Sequence, residues 1–206
     1  TAQNAISGII NQYYEVSVVS SNSVTLTSVT GLNAGDTVML YQSKGAMINT
    51  TQTASFGSIT AINEAGNWEL LIVQSVNTSS RLVTFNCPIS KTYFPPFQLI
   101  RVPSYYNARI TSVLTCQQHN GITGGVLCMI VRNQLEMNAG IDVSGKGNTG
   151  AVPDYSLVSN CASTGLGFQR YSYTALSDSA GFKGGGIVGD PMGMIACGRG
   201  KIANGG

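Results

Sequence analysis

Apolar and polar residues alternate with a period of two from Glu15 onward, as in strands with one buried face. Val16 and Val18 alternate in this way, then Val24 and Leu26, with Ser20-Ser21-Asn22-Ser23 supplying the turn between them. Gly31-Leu32-Asn33-Ala34-Gly35-Asp36 predicts a second turn, and Thr37-Val38-Met39-Leu40-Tyr41 an apolar strand. Further strands are predicted over Ser58–Ile62 and Asn67–Val76, separated by Asn63-Glu64-Ala65-Gly66, and over Arg81–Asn86. Pro88, Pro95 and Pro96 punctuate a loop before a closing strand at Phe97–Val102. Residues 1–12, with Ile6, Ile9 and Ile10, fit either a short helical turn or an extended lead-in, and polar Ile48–Phe56 fits an exposed loop. Short strands with frequent turn signals predict a small β-barrel or sandwich over residues 1–102.

The pattern changes near Pro103. Ala108–Thr115 reads as a strand, Gly125–Val131 as a buried strand, Arg132-Asn133 as a corner and Gln134–Met137 as another strand. Asn138-Ala139-Gly140 makes a further corner before Ile141-Asp142-Val143. Very short strands joined by Asn and Gly corners suggest the coils of a β-solenoid. Nineteen of the 25 glycines lie at residue 121 or later, and glycine permits the close backbone approach that stacked coils need. The expected fold class is therefore all-β: a barrel or sandwich joined to a glycine-rich, solenoid-like region over 103–206.

Composition narrows the function classes. Charged residues make up only 10%, against roughly 25% in ordinary soluble domains, so Ser, Thr, Asn, Gln and Gly supply the polar surface. The eleven Lys and Arg are scattered and the net charge is +2, which argues against a nucleic-acid partner. No apolar run reaches the roughly 20 residues of a membrane helix. The amino end lacks a charged leader and reads as a mature or cut terminus. Cys87, Cys116, Cys128, Cys161 and Cys197 form no CxxC pair, which argues against a zinc knuckle; buried thiols and one or two disulfides both remain open.

Candidate chemistry is sparse. Gly140–Lys146 fits the first seven positions of a phosphate-cradling loop, but Gly147 stands where Ser or Thr is required and no helix signal follows, so a tight corner is the better reading. Gly184–Gly189 fits GxGxxG without the strand and helix a dinucleotide needs. His119, the single histidine, reads as a surface or turn residue without a nucleophile or an orienting acid. Glu136 and Asp142 on neighbouring strands are the best pair for glycosidase chemistry. Asp142, Asp154 and Asp190 near glycines are candidate Ca²⁺ ligands, without a DxDxDG loop. Tyr13-Tyr14, Tyr105-Tyr106 and Trp68 are candidates to stack on sugars, with packing the favoured role. No catalytic residue, metal ligand or cofactor is expected.

Three stretches together carry a resemblance: Gly35-Asp-Thr-Val-Met-Leu-Tyr-Gln-Ser-Lys-Gly-Ala46, Phe56-Gly57-Ser-Ile59 and Asn63-Glu-Ala-Gly-Asn-Trp-Glu69. They resemble the amino-terminal region of glycine-rich Bacteroidota cell-surface adhesins and gliding-motility proteins, and Gly198–Gly206 is similar to the point where those enter a polyglycine region. The resemblance implies export by the type 9 secretion system, a place on the cell surface, partners among surface or secretion-machinery proteins, and continuation into a longer chain. It implies no catalytic residue. Asp36-Thr37-Val38 and Asp178-Ser179-Ala180 match the short O-glycosylation signal of that phylum, making Thr37 and Ser179 the candidate sites.

The leading expectation is a non-enzymatic, extracellular structural and adhesive module that makes many weak surface contacts, glycans among them. The alternative is a carbohydrate-binding or carbohydrate-active β-helix protein. A phage or virus fibre subunit is a third reading.

Overall fold

In a computed structural model, residues 3–49, 51, 53, 55, 57–148 and 186–188 are described. The described residues are all-β. They form β1 (Asn4–Ile9), β2 (Gln12–Val19), β3 (Ser23–Leu26), β4 (Thr37–Tyr41), β5 (Met47–Ile48), β6 (Ile59–Ala61), β7 (Trp68–Asn77), β8 (Leu82–Phe85), β9 (Gln98–Arg101), β10 (Ser104–Thr115) and β11 (Ile130–Met137). The chain divides into two compact units, one of Thr1–Gln42 with Asn67–Gly147, the other of Ser43–Gly66 with Asn148–Gly206.

Within the first unit, six antiparallel strands close into a barrel in the order β2-β3-β8-β7-β4-β9, resolving the choice between barrel and sandwich. The strand expected to close it does so, because β9 pairs with both β2 and β4. Alternation sends Val16, Val24, Leu26, Val38, Leu40, Leu71, Val73, Val83, Phe85 and Leu99 inward to one buried cluster. Closure removes the unpaired edges that an open sheet of this size exposes. Asp36, at the end of the turn before β4, pairs with Arg101 at 2.9 Å and accepts the Asn33 amide at 2.8 Å, fixing the start of β4 against the end of β9.

The same unit holds a parallel sheet in the order β1-β10-β11. Residues 4–9 are therefore strand, and of the two readings of this stretch the extended one holds. Ile110 lies opposite both Ile6 and Met137, and Leu114 opposite both Gly8 and Ile141. The offset of 27 residues in Ile110–Met137 and Leu114–Ile141 recurs where the His119 amide meets the Lys146 carbonyl at 2.8 Å, so one coil lies on the next at a constant step. Ile6, Ala108, Ile110 and Leu114 fill the core beneath this sheet.

Two local expectations need correction. Arg132-Asn133 is no corner; it is the extra step of a β-bulge inside β11, where Tyr105↔Val131 gives way to Asn107↔Gln134 and the Asn133 amide donates to Asn107 Oδ1 at 2.7 Å. Nor is Gly125–Val131 a strand throughout, since β11 begins at Ile130. Side chains replace a neighbouring strand along 124–128. Gln98 exchanges two hydrogen bonds with the Gly124 backbone, at 2.8 and 3.0 Å, and Asn11 does the same with Cys128, at 3.0 and 2.6 Å. The Tyr13 hydroxyl donates to the Val126 carbonyl at 2.6 Å. Val126, Cys128 and Ile130 then cover Met39, Ile100 and Val102 on the outside of the barrel.

In the second unit, β5 and β6 pair antiparallel, so of the expected Ile48–Phe56 loop only its first residue, Ile48, is strand among the described residues. Ala46 bridges Val188 in parallel, and the Ile187 carbonyl accepts the Gly45 and Ala46 amides at 2.9 and 3.0 Å.

Candidate functional site

Strand β7 carries the most exposed aromatic chemistry of the barrel. Its alternation turns Leu71 and Val73 into the core and leaves Trp68, Leu70 and Ile72 outside, with Trp68 52% exposed. Glu69 faces the barrel mouth, where its carboxylate accepts the Ser90 amide and hydroxyl, each at 2.9 Å, and the Lys91 amide at 3.2 Å. Burial raises the Glu69 pKa, but the hydrogen bonds from Ser90 and Lys91, with the Tyr93 phenol nearby, outweigh it, and the net shift is downward. Burial first, then the Glu69 charge, pushes the Tyr93 phenol far upward.

These bonds hold the proline-rich loop over the barrel end. Asn67 Nδ2 donates to the Thr92 carbonyl at 3.0 Å, and the Phe94 amide donates to buried Gln42 Oε1 at 2.7 Å. Tyr93 turns inward onto Phe97, with ring centroids 6.1 Å apart. The anchored loop sets Lys91 Nζ 5.7 Å from the Trp68 ring and leaves Phe94 47% exposed. Trp68 on β7, with Lys91 and exposed Phe94 on the anchored loop, offers apolar ring faces and one positive charge to a sugar chain.

The other sequence candidates fall out as follows. Tyr14 is buried, with its hydroxyl 2.9 Å from the Thr30 carbonyl, and Tyr13 is tied to Val126; both are packing residues. Tyr105 is half-buried against the parallel-sheet core, whereas Tyr106 is 61% exposed. Glu136 and Asp142 make separate local contacts: Glu136 pairs with Arg109 at 3.0 Å, and Asp142 Oδ1 accepts the Ser144 amide at 2.8 Å. Among the described residues no group of three or more His, Cys, Asp or Glu is placed to hold a metal. Asp154, Asp190 and Ser179 lie outside the described residues. Thr37 is half-buried at the start of β4, opposite Ile72.

Of the two readings of His119, surface or turn, the turn one holds, because it is only 5% exposed and its Nδ1 accepts the Gly121 amide at 3.1 Å, beside a turn closed by the Asn120 amide on the Thr123 carbonyl at 3.0 Å. Gly125 (φ +77) stands against this histidine: an added Cβ would lie 3.1 Å from His119 Cβ and 3.2 Å from the Lys146 carbonyl. Gly140–Gly147 is a coil corner, with a turn closed by the Lys146 amide on the Val143 carbonyl at 3.1 Å. Of the GxGxxG match, only 186–188 is described, and it bridges to Ala46. Cys87, Cys116 and Cys128 are free thiols, and burial raises the pKa of Cys116 and Cys128, which disfavours the reactive thiolate. Cys161 and Cys197 lie outside the described residues. Phe94 was not anticipated; its signal was its place beside Pro95 in the proline-punctuated loop.

No protein-family profile matches the chain, and comparison with curated proteins finds no relative. Among solved structures it is similar to three phage tailspikes. Tailspike gp61 of Pseudomonas phage phi297 is 16% identical with TM-score 0.30, over 54% of this chain and 22% of that one. Tailspike gp49 of Pseudomonas phage LKA1 is 14% identical with TM-score 0.28, over 54% and 18%. The Gp54 tailspike of Acinetobacter baumannii bacteriophage AP22, solved with A. baumannii capsular saccharide, is 12% identical with TM-score 0.33, over 67% and 22%. This chain thus spans about a fifth of the length of each.

Proposed function

We propose that this chain is a non-enzymatic, extracellular adhesive module whose barrel end contacts glycans, and that it serves in a cell-surface adhesin or gliding-motility protein of the type 9 secretion class. The observation that carries the glycan contact is the platform of exposed Trp68 with Lys91 against its ring, together with exposed Phe94 further along the same loop as Lys91, a loop anchored through Glu69, Gln42 and Asn67. Anchoring before binding lowers the ordering cost, so weak stacking contacts yield usable affinity when many copies act together. The charge-poor, hydroxyl- and amide-rich composition suits a surface that works by hydrogen bonding and stacking. The surface resemblance carried by Gly35–Ala46 and Asn63–Glu69 favours the adhesin setting.

A glycan array with purified protein tests this reading. Binding is expected, and Trp68→Ala and Phe94→Ala each weaken it about tenfold without lowering the fraction folded. A blank array, or binding indifferent to both substitutions, overturns the platform. Release of reducing sugar from a bound polysaccharide overturns the non-enzymatic assignment in favour of a carbohydrate-active β protein.

A further inference from the structure

At the other end of β7, the chain builds a second concave surface. Asn77 and Leu82 face each other across the β7–β8 hairpin, and Asn77 Oδ1 accepts the Ser79 and Ser80 amides, both at 3.0 Å. This turn places Arg81 at φ 56, a left-handed backbone that glycine adopts without strain and arginine does not. Opposite it runs the loop from Thr27 to Leu32. Together they line a bowl of about 380 Å³ that includes Ser28, Val29, Thr30, Leu32, Thr78 and Arg81.

The bowl is held from beneath. The Tyr14 hydroxyl lies 2.9 Å from the Thr30 carbonyl and 3.0 Å from Gln12 Oε1. Gly31 (φ +85) presses so close to Gln12 that an added Cβ would lie 2.9 Å from Gln12 Oε1. Val29 and Leu32 are buried parts of the barrel core, so the loop cannot shift without disturbing it. Arg81 Nη1 donates to the Thr27 carbonyl at 3.2 Å, and no carboxylate pairs with this guanidinium among the described residues. One carbonyl takes one of five donors, leaving a planar fork for an outside acceptor.

We infer that this bowl is a second binding site, selective for a carboxylate-bearing sugar of an acidic polysaccharide. A planar guanidinium matches a carboxylate in two parallel bonds. The hydroxyls of Ser28, Thr30 and Thr78 suit ring hydroxyls, and the apolar floor suits ring carbons. A free phosphate is better served by several cations or converging backbone amides, and the bowl presents one cation. The sugar assignment rests on the proposed glycan-binding function, whereas the anion site stands on its own geometry.

The test is an NMR titration of the whole chain with an oligogalacturonate, a neutral maltohexaose and inorganic phosphate. The wild type is expected to bind the uronate and not the neutral oligomer, with amide shifts at Ser28, Thr30 and Gly31. Arg81→Gln and Arg81→Gly weaken that binding at least about tenfold, the loss of a charged two-bond contact. Arg81→Gly does so without lowering the melting temperature, because glycine relieves the backbone, and this excludes misfolding as the cause. Trp68→Ala leaves the bowl's shifts intact, so failure of the aromatic platform and failure of the bowl are read separately. Absent uronate binding, unchanged binding in both Arg81 variants, or equal response to phosphate overturns the inference.

Discussion

Glu69 concentrates several forces on one carboxylate. It faces a barrel mouth that partly desolvates it, yet donors from Ser90 and Lys91 bring its pKa below 4.5. A carboxyl whose pKa is lower in the folded state contributes stability above its unfolded value and loses that contribution as pH falls through the folded one. The melting temperature of the wild type should therefore fall more steeply below pH 4.5 than that of Glu69→Gln. Thermal melts followed by circular dichroism across this range check it, and parallel curves would disconnect Glu69 from loop anchoring. At this scale the sequence was only partly legible. Trp68 was singled out as a stacking candidate, but its company with Lys91 and Phe94 depends on how a loop 25 residues downstream of Asn67 returns to that residue. His119 was read as a surface or turn residue because its neighbours are polar; it is buried in that turn, where Gly125, lacking a side chain, lets the chain press against it.

Elements were legible wherever period-two alternation met turn residues. Thr37–Tyr41 was read with its observed bounds from its apolar run after a turn, because Val38 and Leu40 face the barrel core while Met39 is covered on the other face. The hairpin strands were read within a few residues, because burial on one face selects apolar residues at every second position. The apolar run read as a strand over Gly125–Val131 failed before Ile130, where the chain is satisfied by the Gln98 and Asn11 side chains instead of by a strand. Replacing Gln98 leaves the buried Gly124 donor and acceptor without these partners, which costs about 1–3 kcal/mol per group, and replacing Asn11 does the same, at a lower cost, to the half-buried Cys128 backbone. Gln98→Leu is thus expected to speed hydrogen exchange at Gly124, and Asn11→Leu at Cys128, while exchange at Leu40 in the barrel core stays slow. Protection unchanged at both seam amides would mean that Val126, Cys128 and Ile130 hold this stretch by packing alone.

For the first unit as a whole, the decisive feature is that β1 and β10 pair in parallel with the entire barrel between them in sequence. Such an insertion is possible because the first and last barrel strands are partners. Gln12 lies opposite Arg101, so the chain leaves the barrel beside the point where it entered. Folding the barrel first shortens the loop that β1 and β10 must close. A chain limited to residues 11–102 is therefore expected to fold cooperatively, with a lower melting temperature because Met39, Ile100 and Val102 lose their cover. Heteronuclear NMR and thermal melts decide it, and a non-cooperative, poorly dispersed chain would show that the barrel needs the parallel sheet to form.

Periodicity and turn chemistry determined the all-β class and most barrel strands, because those signals are local and repeat along the chain. Only the tertiary structure decided that the barrel closes, that residues 4–9 stack on β10, and that Gln98 and Asn11 stand in for a strand. Each of those depends on pairing across some 26 to 117 residues, and a hydrogen-bond partner that distant leaves no mark on the residues beside it.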